Sequence, residues 1–310
     1  MQKILVIKPS SLGDIVHGLQ VMAALKSQRA DVHISWVTRD MFAPFVSACD
    51  LVDQIYVFRR GAGLKAFVAL LRELRTQHFD WVLDMQGLAR SGLMTYLSHA
   101  REKVGRADAR ECSSLAYRKT IALPATGRNS HAVEILLQFL PVLGLAPNAC
   151  GRLTFSLDRD KRTVDIGQNA ILVFPSSRRI EKDWPGYAGL TERMFERLPQ
   201  STVCWVGQQR CEHPGAWDAL NFRNFTGTTG LLELVHMVAH AQLIVSNDSG
   251  PMHLAAAMGT PLVAVFGPTD PRRFGPYPLS NPQHRVVQAP LGDFSRLSVD
   301  EVLQAIENSV

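Results

Sequence analysis

The sequence predicts an α/β protein built from two Rossmann-like domains in tandem. Three observations carry that expectation. Short apolar runs alternate with segments of helical period through the first half. The same rhythm restarts in the second half, after the polar stretch Asp158-Arg159-Asp160-Lys161-Arg162. The length of 310 residues is two domains' worth at roughly 150 each.

In the first half, Ile4–Ile7 is an apolar strand followed by turn residues from Pro9 to Asp14. An amphipathic helix then runs from Ile15 to Gln28, with Ile15, Leu19, Met22 and Leu25 on one face. Val32–Val37 and Val52–Phe58 read as strands, Leu64–Gln77 as a helix, Asp80–Asp84 as a strand and Val133–Leu143 as a helix. In the second half, Ala170–Phe174, Thr202–Val206, Leu243–Ser246 and Pro261–Phe266 read as strands. Tyr187–Leu198, Leu231–Ala241 and Met252–Met258 read as the helices between them. Such β-α-β order implies parallel sheets covered on both faces. The linker falls at 155–168, so the domains are 1–157 and 168–310, with the last helix free to pack back on the first. Two such domains in tandem would create a cleft between them. Ligands of open parallel sheets bind beyond the carboxyl ends of the strands, so the residues just after strands matter most.

Composition narrows the function. With 46% hydrophobic and 20% charged residues, each half can bury a core, which excludes extensive disorder. No apolar run reaches the length of about 18 residues that a membrane-spanning helix needs. The N-terminus, Met1 to Lys8, reads as a first strand and not as a signal peptide, which implies a cytoplasmic protein. The five cysteines, Cys49, Cys112, Cys150, Cys204 and Cys211, are scattered without a C-x-x-C pair, against a zinc ribbon or a disulfide framework. Residues 1–155 hold 19 Lys and Arg against 12 Asp and Glu, a net of +7; the remainder holds 14 against 16, a net of −2. A basic first half points to an anionic partner: nucleic acid, a phosphorylated glycan or an acidic membrane surface.

Four stretches can carry chemistry. Lys8-Pro9-Ser10-Ser11-Leu12-Gly13-Asp14 follows the first strand and opens a helix, without the G-x-G-x-x-G dinucleotide pattern. Asp14 there is either a helix cap or a general base facing the cleft. Phe174 to Pro185 places Ser176, Ser177, Arg178, Arg179 and Lys182 in one loop, either a phosphate clamp or a solvated loop. Val245 to Pro261 is the strongest: a strand, a tight Asp248-Ser249-Gly250 turn and a helix of small residues bearing His253 in its first turn. The N–H groups of such a helix suit a pyrophosphate; turn and cap chemistry is the plainer reading of Asp248. Phe266 to Tyr277 is a loop fixed by proline and glycine after the last strong strand.

Together these stretches resemble glycosyltransferase family 9, the ADP-heptose:lipopolysaccharide heptosyltransferases. The resemblance rests on Lys8 to Asp14, on Gly105-Arg106-Ala107-Asp108-Ala109-Arg110-Glu111, and above all on Asp248-Ser249-Gly250-Pro251-Met252-His253-Leu254 with Phe266-Gly267-Pro268-Thr269. It implies a GT-B fold and an inverting transfer of heptose from an ADP-heptose donor to an inner-core lipid A–Kdo acceptor, with no bound metal and no cofactor. It implies Asp14 as the base and Lys182 as the phosphate-binding lysine. Ser176, Ser177, Gln209, Asp248, Ser249, Gly250 and His253 then belong to the donor, and Lys8, Ser10, Arg60 and Arg106 to the acceptor. An acidic residue common in one subgroup is replaced here by Gln209, which can bond a ribose hydroxyl without charge.

An anionic glycolipid acceptor accounts for the basic half. Arg59, Arg60, Lys65, Arg72 and Arg75 form one cluster; Arg101, Lys103, Arg106, Arg110, Arg118 and Lys119 form another. A membrane-anchored acceptor implies peripheral contact with the inner face of the inner membrane. The alternatives are transfer of another nucleotide sugar, a protein acceptor, or a non-catalytic sugar-nucleotide-binding protein. A nucleic-acid module lacks its interleaved aromatic and basic platform, so no nucleic acid is expected.

Overall fold

The computed structural model describes residues 1–149, 151–157 and 164–310. Contacts divide the chain into two units, Met1–Ser156 and Leu157–Val310. The expected linker stretch Asp158–Arg162 and Cys150 lie outside the described residues.

Unit 1 runs β1 (Gln2–Ile7), α1 (Leu12–Gln28), β2 (Val32–Arg39), α2 (Ala43–Ala48), β3 (Gln54–Phe58), α3 (Gly63–Thr76), β4 (His78–Asp84), α4 (Ala89–Leu97), β5 (His99–Gly105), β6 (Lys119–Thr120), α5 (Ala132–Leu137) and α6 (Phe139–Val142). Its sheet is parallel throughout, in the order β3-β2-β1-β4-β5-β6. β1 is central and buried from Ile4 to Ile7, which is why it reads as an unbroken apolar run and not an alternating one. Leu5, Ile7 and Val82 share a core with Leu70, Leu71 and Leu74 of α3 and Met94 of α4, while α1 packs with α5.

Two helices depart from expectation for local reasons. α1 begins at Leu12, earlier than Ile15, because Ser11 and Asp14 form a capping box around its first turn. The single helix expected over Val133–Leu143 divides after Leu137. Pro141 has no N–H to offer the carbonyl of Leu137, and its ring crowds that carbonyl.

Unit 2 runs β7 (Ile171–Phe174), α7 (Tyr187–Arg197), β8 (Val203–Trp205), β9 (Phe222–Asn224), α8 (Leu231–His240), β10 (Leu243–Asn247), α9 (Gly250–Met258), β11 (Leu262–Phe266), α10 (Pro271–Phe274), β12 (His284–Gln288) and α11 (Val299–Glu307). The sheet order, β12-β11-β10-β7-β8-β9, repeats that of unit 1 strand for strand. The last helix, α11, docks within its own unit. Val302, Leu303 and Ile306 join Leu190 and Met194 of α7 and Val263 and Val265 of β11 in one core. Among the described residues no helix is long and apolar enough to cross a membrane. Cys49 and Cys204 are buried thiols, each pushed up to about 12 by that burial.

In each sheet the order of strand addition reverses beside the first strand, at β1–β4 and at β7–β10. Crevices at such reversals are where open α/β sheets bind ligands. One glycine guards the crevice of unit 1. A Cβ on Gly105 would overlap the ring of Tyr117, whose hydroxyl donates to Asp84 at 2.8 Å. Gly105→Ala is therefore expected to cost about 1–3 kcal/mol of stability, as overpacking does. Urea unfolding of the variant against the parent measures it.

Candidate functional site

In unit 1 the chain leaves β1 at Lys8 and turns into α1 at Ser11. The Asp14 carboxylate accepts the Ser11 N–H at 3.0 Å and the Ser11 hydroxyl at 2.6 Å through one oxygen. Its other oxygen lies 3.2 Å from the Lys8 ammonium. Lys8 is only 3% exposed, whereas the Asp14 side chain is half open to solvent. Burial works to raise the Asp14 carboxyl, but the Lys8 charge and the two Ser11 bonds outweigh it and hold the group well below the usual carboxylate range. Lys8 is itself pulled below its ordinary value, first by burial, while Asp14 works the other way.

A second carboxylate stands across the reversal. Asp84 ends β4, directly opposite Ile7, and is fully buried. It accepts the N–H groups of Gln86 at 3.0 Å and Gly87 at 2.9 Å, besides the Tyr117 hydroxyl. Burial nevertheless pushes its carboxyl up, and its negative charge helps keep Lys8 protonated. The loop so fixed reaches Arg106 through Gly87, whose backbone is in the left-handed region at φ +68. A Cβ there would sit 3.3 Å from the Arg106 Cδ. Sequence reading missed Asp84; its signal is an Asp-Met-Gln-Gly turn closing an apolar strand.

Because the folded Asp14 carboxyl lies below its unfolded value of about 3.9, its contribution to stability is full above that value. It is lost only as pH falls through the folded one. Lys8→Met removes the cation most responsible. An NMR titration of the Asp14 carboxyl carbon should show its midpoint climb toward the ordinary range. An unmoved midpoint would assign the depression to the Ser11 bonds and the nearby His17 charge.

The other residues expected at the acceptor are placed unevenly. Ser10 is half-buried and Arg60 exposed. Arg106 is bound to Asp108 through two bonds of 2.8 Å. Lys8 faces Asp14.

In unit 2 the loops after β7 and β10 meet. Lys182 donates to Asp248 at 2.6 Å, and both side chains are largely buried. Asn247 stitches the two loops beneath them. Its side-chain amide oxygen accepts the Trp184 backbone N–H at 3.3 Å and the Tyr187 hydroxyl at 2.9 Å. Asp183 accepts the Ser177 N–H at 2.8 Å, while the Ser177 hydroxyl donates to the Arg179 carbonyl at 3.0 Å. The clamp loop is thus a folded turn with Lys182 directed at β10. The fourth stretch reaches the same place, with the Phe274 ring centroid 5.9 Å from the Lys182 ammonium.

Ser249 is the N-cap of α9, its hydroxyl 3.1 Å from that of Ser246, and Gly250 opens the helix. His253 is buried one turn in, its N–H on the Ser249 carbonyl at 3.4 Å. Ser176 is half-buried, its hydroxyl 3.7 Å from the Cys211 sulfur; Gln209 is exposed beyond β8. Unit 2 therefore brings Lys182, Asp248, Ser249 and Gly250 to the reversal. The helix N-terminus and the ammonium suit an anion. Among the described residues no three His, Cys, Asp or Glu side chains gather as a metal cluster would.

Comparison with known proteins gives a consistent result. The family model described as glycosyltransferase family 9 (heptosyltransferase) matches residues 67–301. Lipopolysaccharide heptosyltransferase 1 of Escherichia coli O18:K1:H7 is 27% identical over 325 aligned positions, covering 99% of this chain and 98% of that one. Among solved structures, E. coli heptosyltransferase WaaC with ADP superimposes at a TM-score of 0.82 with 24% identity, each chain covered in full. The same protein with ADP-2-deoxy-2-fluoro heptose gives 0.78 with 23% identity, again over the full chains.

Proposed function

From the premise that this chain belongs to glycosyltransferase family 9 and is a glycosyltransferase, we propose that it moves a heptose from ADP-heptose to a hydroxyl of an inner-core lipopolysaccharide acceptor, lipid A–Kdo. The observation that carries the reading is Asp14: a half-exposed carboxylate, held ionised by Lys8 and Ser11, at the carboxyl end of the central strand.

In an inverting transfer the acceptor oxygen attacks the anomeric carbon as the bond to the diphosphate breaks. Asp14 takes the proton of the attacking hydroxyl. Ser11 and Lys8 fix the carboxylate and leave its exposed side for the acceptor. Negative charge builds on the departing ADP, and Lys182 with the first turn of α9 is set to receive it. Asp248 acts through Lys182, which it holds in place; Ser249 and Gly250 let the diphosphate approach the backbone. Ser176, Gln209 and His253 complete the donor side, with Gln209 for the ribose. Ser10, Arg60 and Arg106 serve the acceptor's phosphates and carboxylates, with Lys8 contributing through Asp14.

A lipid-anchored acceptor gives the protein a place of work in the cytoplasm, against the inner face of the inner membrane. The test is a transfer assay with purified protein, ADP-heptose and lipid A–Kdo, following ADP release and the mass of the glycolipid. Gain of one heptose supports the reading. ADP release without a heavier acceptor, or turnover with another nucleotide sugar alone, would replace it.

A further inference from the structure

Unit 1 carries a surface that the transfer reading leaves unused. Along α4, Arg90, Leu93 and Tyr96 follow one another at three-residue steps and face outward, Leu93 42% and Tyr96 64% exposed. The turn Ser113–Ala116 packs on the same helix so closely that a Cβ on Gly92 would come within 2.9 Å of the Ser113 Cα. It carries Leu115, 84% exposed. Cations border these apolar groups. Lys103 donates to the Tyr96 carbonyl at 2.6 Å and stands 5.7 Å from the centre of its ring. Arg118 is tied by its guanidinium to the Arg101 carbonyl at 2.7 Å. The neighbouring acidic groups are already committed: Glu102 to Lys119, and Glu111 to the N–H of Ala89.

We propose that this face of unit 1 docks on an anionic lipid bilayer. The inference deepens the proposed function and rests on its lipid-anchored acceptor. Leu93 and Tyr96 lie along one side of α4, and the turn packed on that helix presents Leu115; exposed apolar groups gathered on one helix and its packed turn and rimmed by cations are the composition of an interaction surface. At a bilayer each finds its layer: leucine at the acyl boundary, tyrosine at the headgroups, and arginine and lysine at the lipid phosphates. The net +7 of the first half is attracted to an acidic leaflet, repelled by a cationic one and given no such attraction by a neutral one.

The full chain is floated with vesicles of phosphatidylethanolamine and phosphatidylglycerol, and with phosphatidylcholine alone. Binding to the first, weakened by salt and absent from the second, is expected. Leu93→Glu/Leu115→Glu should lower partition by about tenfold or more, since each change replaces an inserting group by a repelled one. The double variant should keep its melting temperature and its turnover on a lipid-free acceptor, and lose turnover on acceptor embedded in vesicles. Equal flotation of variant and parent overturns the proposal, as does failure of the parent to float. Self-association abolished by the double variant, with no vesicle binding, also overturns it, because the face would then join copies of the chain. Absence of heptose transfer by the parent on the lipid-free acceptor would instead strike the proposed function and leave the flotation result standing.

Discussion

Asp14→Asn should lower kcat by about 10²-fold or more, the scale of a lost general base. The amide keeps the size of the carboxylate and can still accept the Ser11 N–H and hydroxyl, so the turn into α1 survives. It cannot take a proton. It also leaves the buried Lys8 ammonium without its anion, and that second effect needs separating from the first. Lys8→Met/Asp14→Asn does so: the stability lost in the single variant should return, while turnover stays low. ADP affinity, measured by calorimetry, should be unchanged in both, because the residues assigned to the diphosphate belong to unit 2. Near-normal turnover in Asp14→Asn would remove Asp14 from the chemistry.

Lys182→Ala should weaken ADP binding and slow transfer together, kcat falling by about 10²-fold, as when a group stabilising developing charge is removed. The change also strips Asp248 of its partner in a largely buried site. Breaking such a pair on one side costs about 3–5 kcal/mol, so a lower melting temperature is expected alongside. Lys182→Met/Asp248→Leu distinguishes the two consequences: the apolar pair should recover stability without recovering transfer. If calorimetry finds ADP affinity intact in Lys182→Ala, the loop is a structural turn and the clamp assignment fails.

The parts of the fold visible in the sequence are those buried on both faces. β1, β7, β10 and β11 are short apolar runs, and each lies in the sheet interior. The strands that escaped notice lie at or next to a sheet edge. β5 is His-Ala-Arg-Glu-Lys-Val-Gly, and β12 is exposed along most of its length. Edge strands gain little by being apolar, so their sequences resemble loops. α4 escaped because Gly92, Ser91 and Thr95 break its apolar pattern; Gly92 admits the Ser113 turn, while the Ser91 and Thr95 hydroxyls bond to the helix's own backbone.

The site was legible as separate stretches and not as contacts. Lys182 and Asp248 were both singled out, but spacing along the chain cannot foretell a 2.6 Å bond between the loops after β7 and β10, strands that are neighbours in the sheet and far apart in sequence. Charge counting failed in a different way. It grouped Arg106 and Lys119 with exposed cations, although Arg106 is held by Asp108 and Lys119 pairs with Glu102. Formal charge records the ions but not their partners.

Among the described residues, each of the two parallel sheets draws all its strands from one unit, Met1–Ser156 or Leu157–Val310. Parallel pairing is slow to form: β1 waits for β4, as Ile4 waits for Trp81, because the entropy of closing long loops is lost before any contact is gained. During synthesis that delay is harmless. At ~5–20 residues per second the ribosome takes on the order of 10 s to make the second unit after the first has been finished. The first sheet can therefore close while the strands that would compete for its unpaired edges do not yet exist. In refolding from denaturant, by contrast, two sheets of the same strand order form side by side from one chain, and edge can meet the wrong edge. Vectorial synthesis separates in time what the repeated architecture makes similar in space.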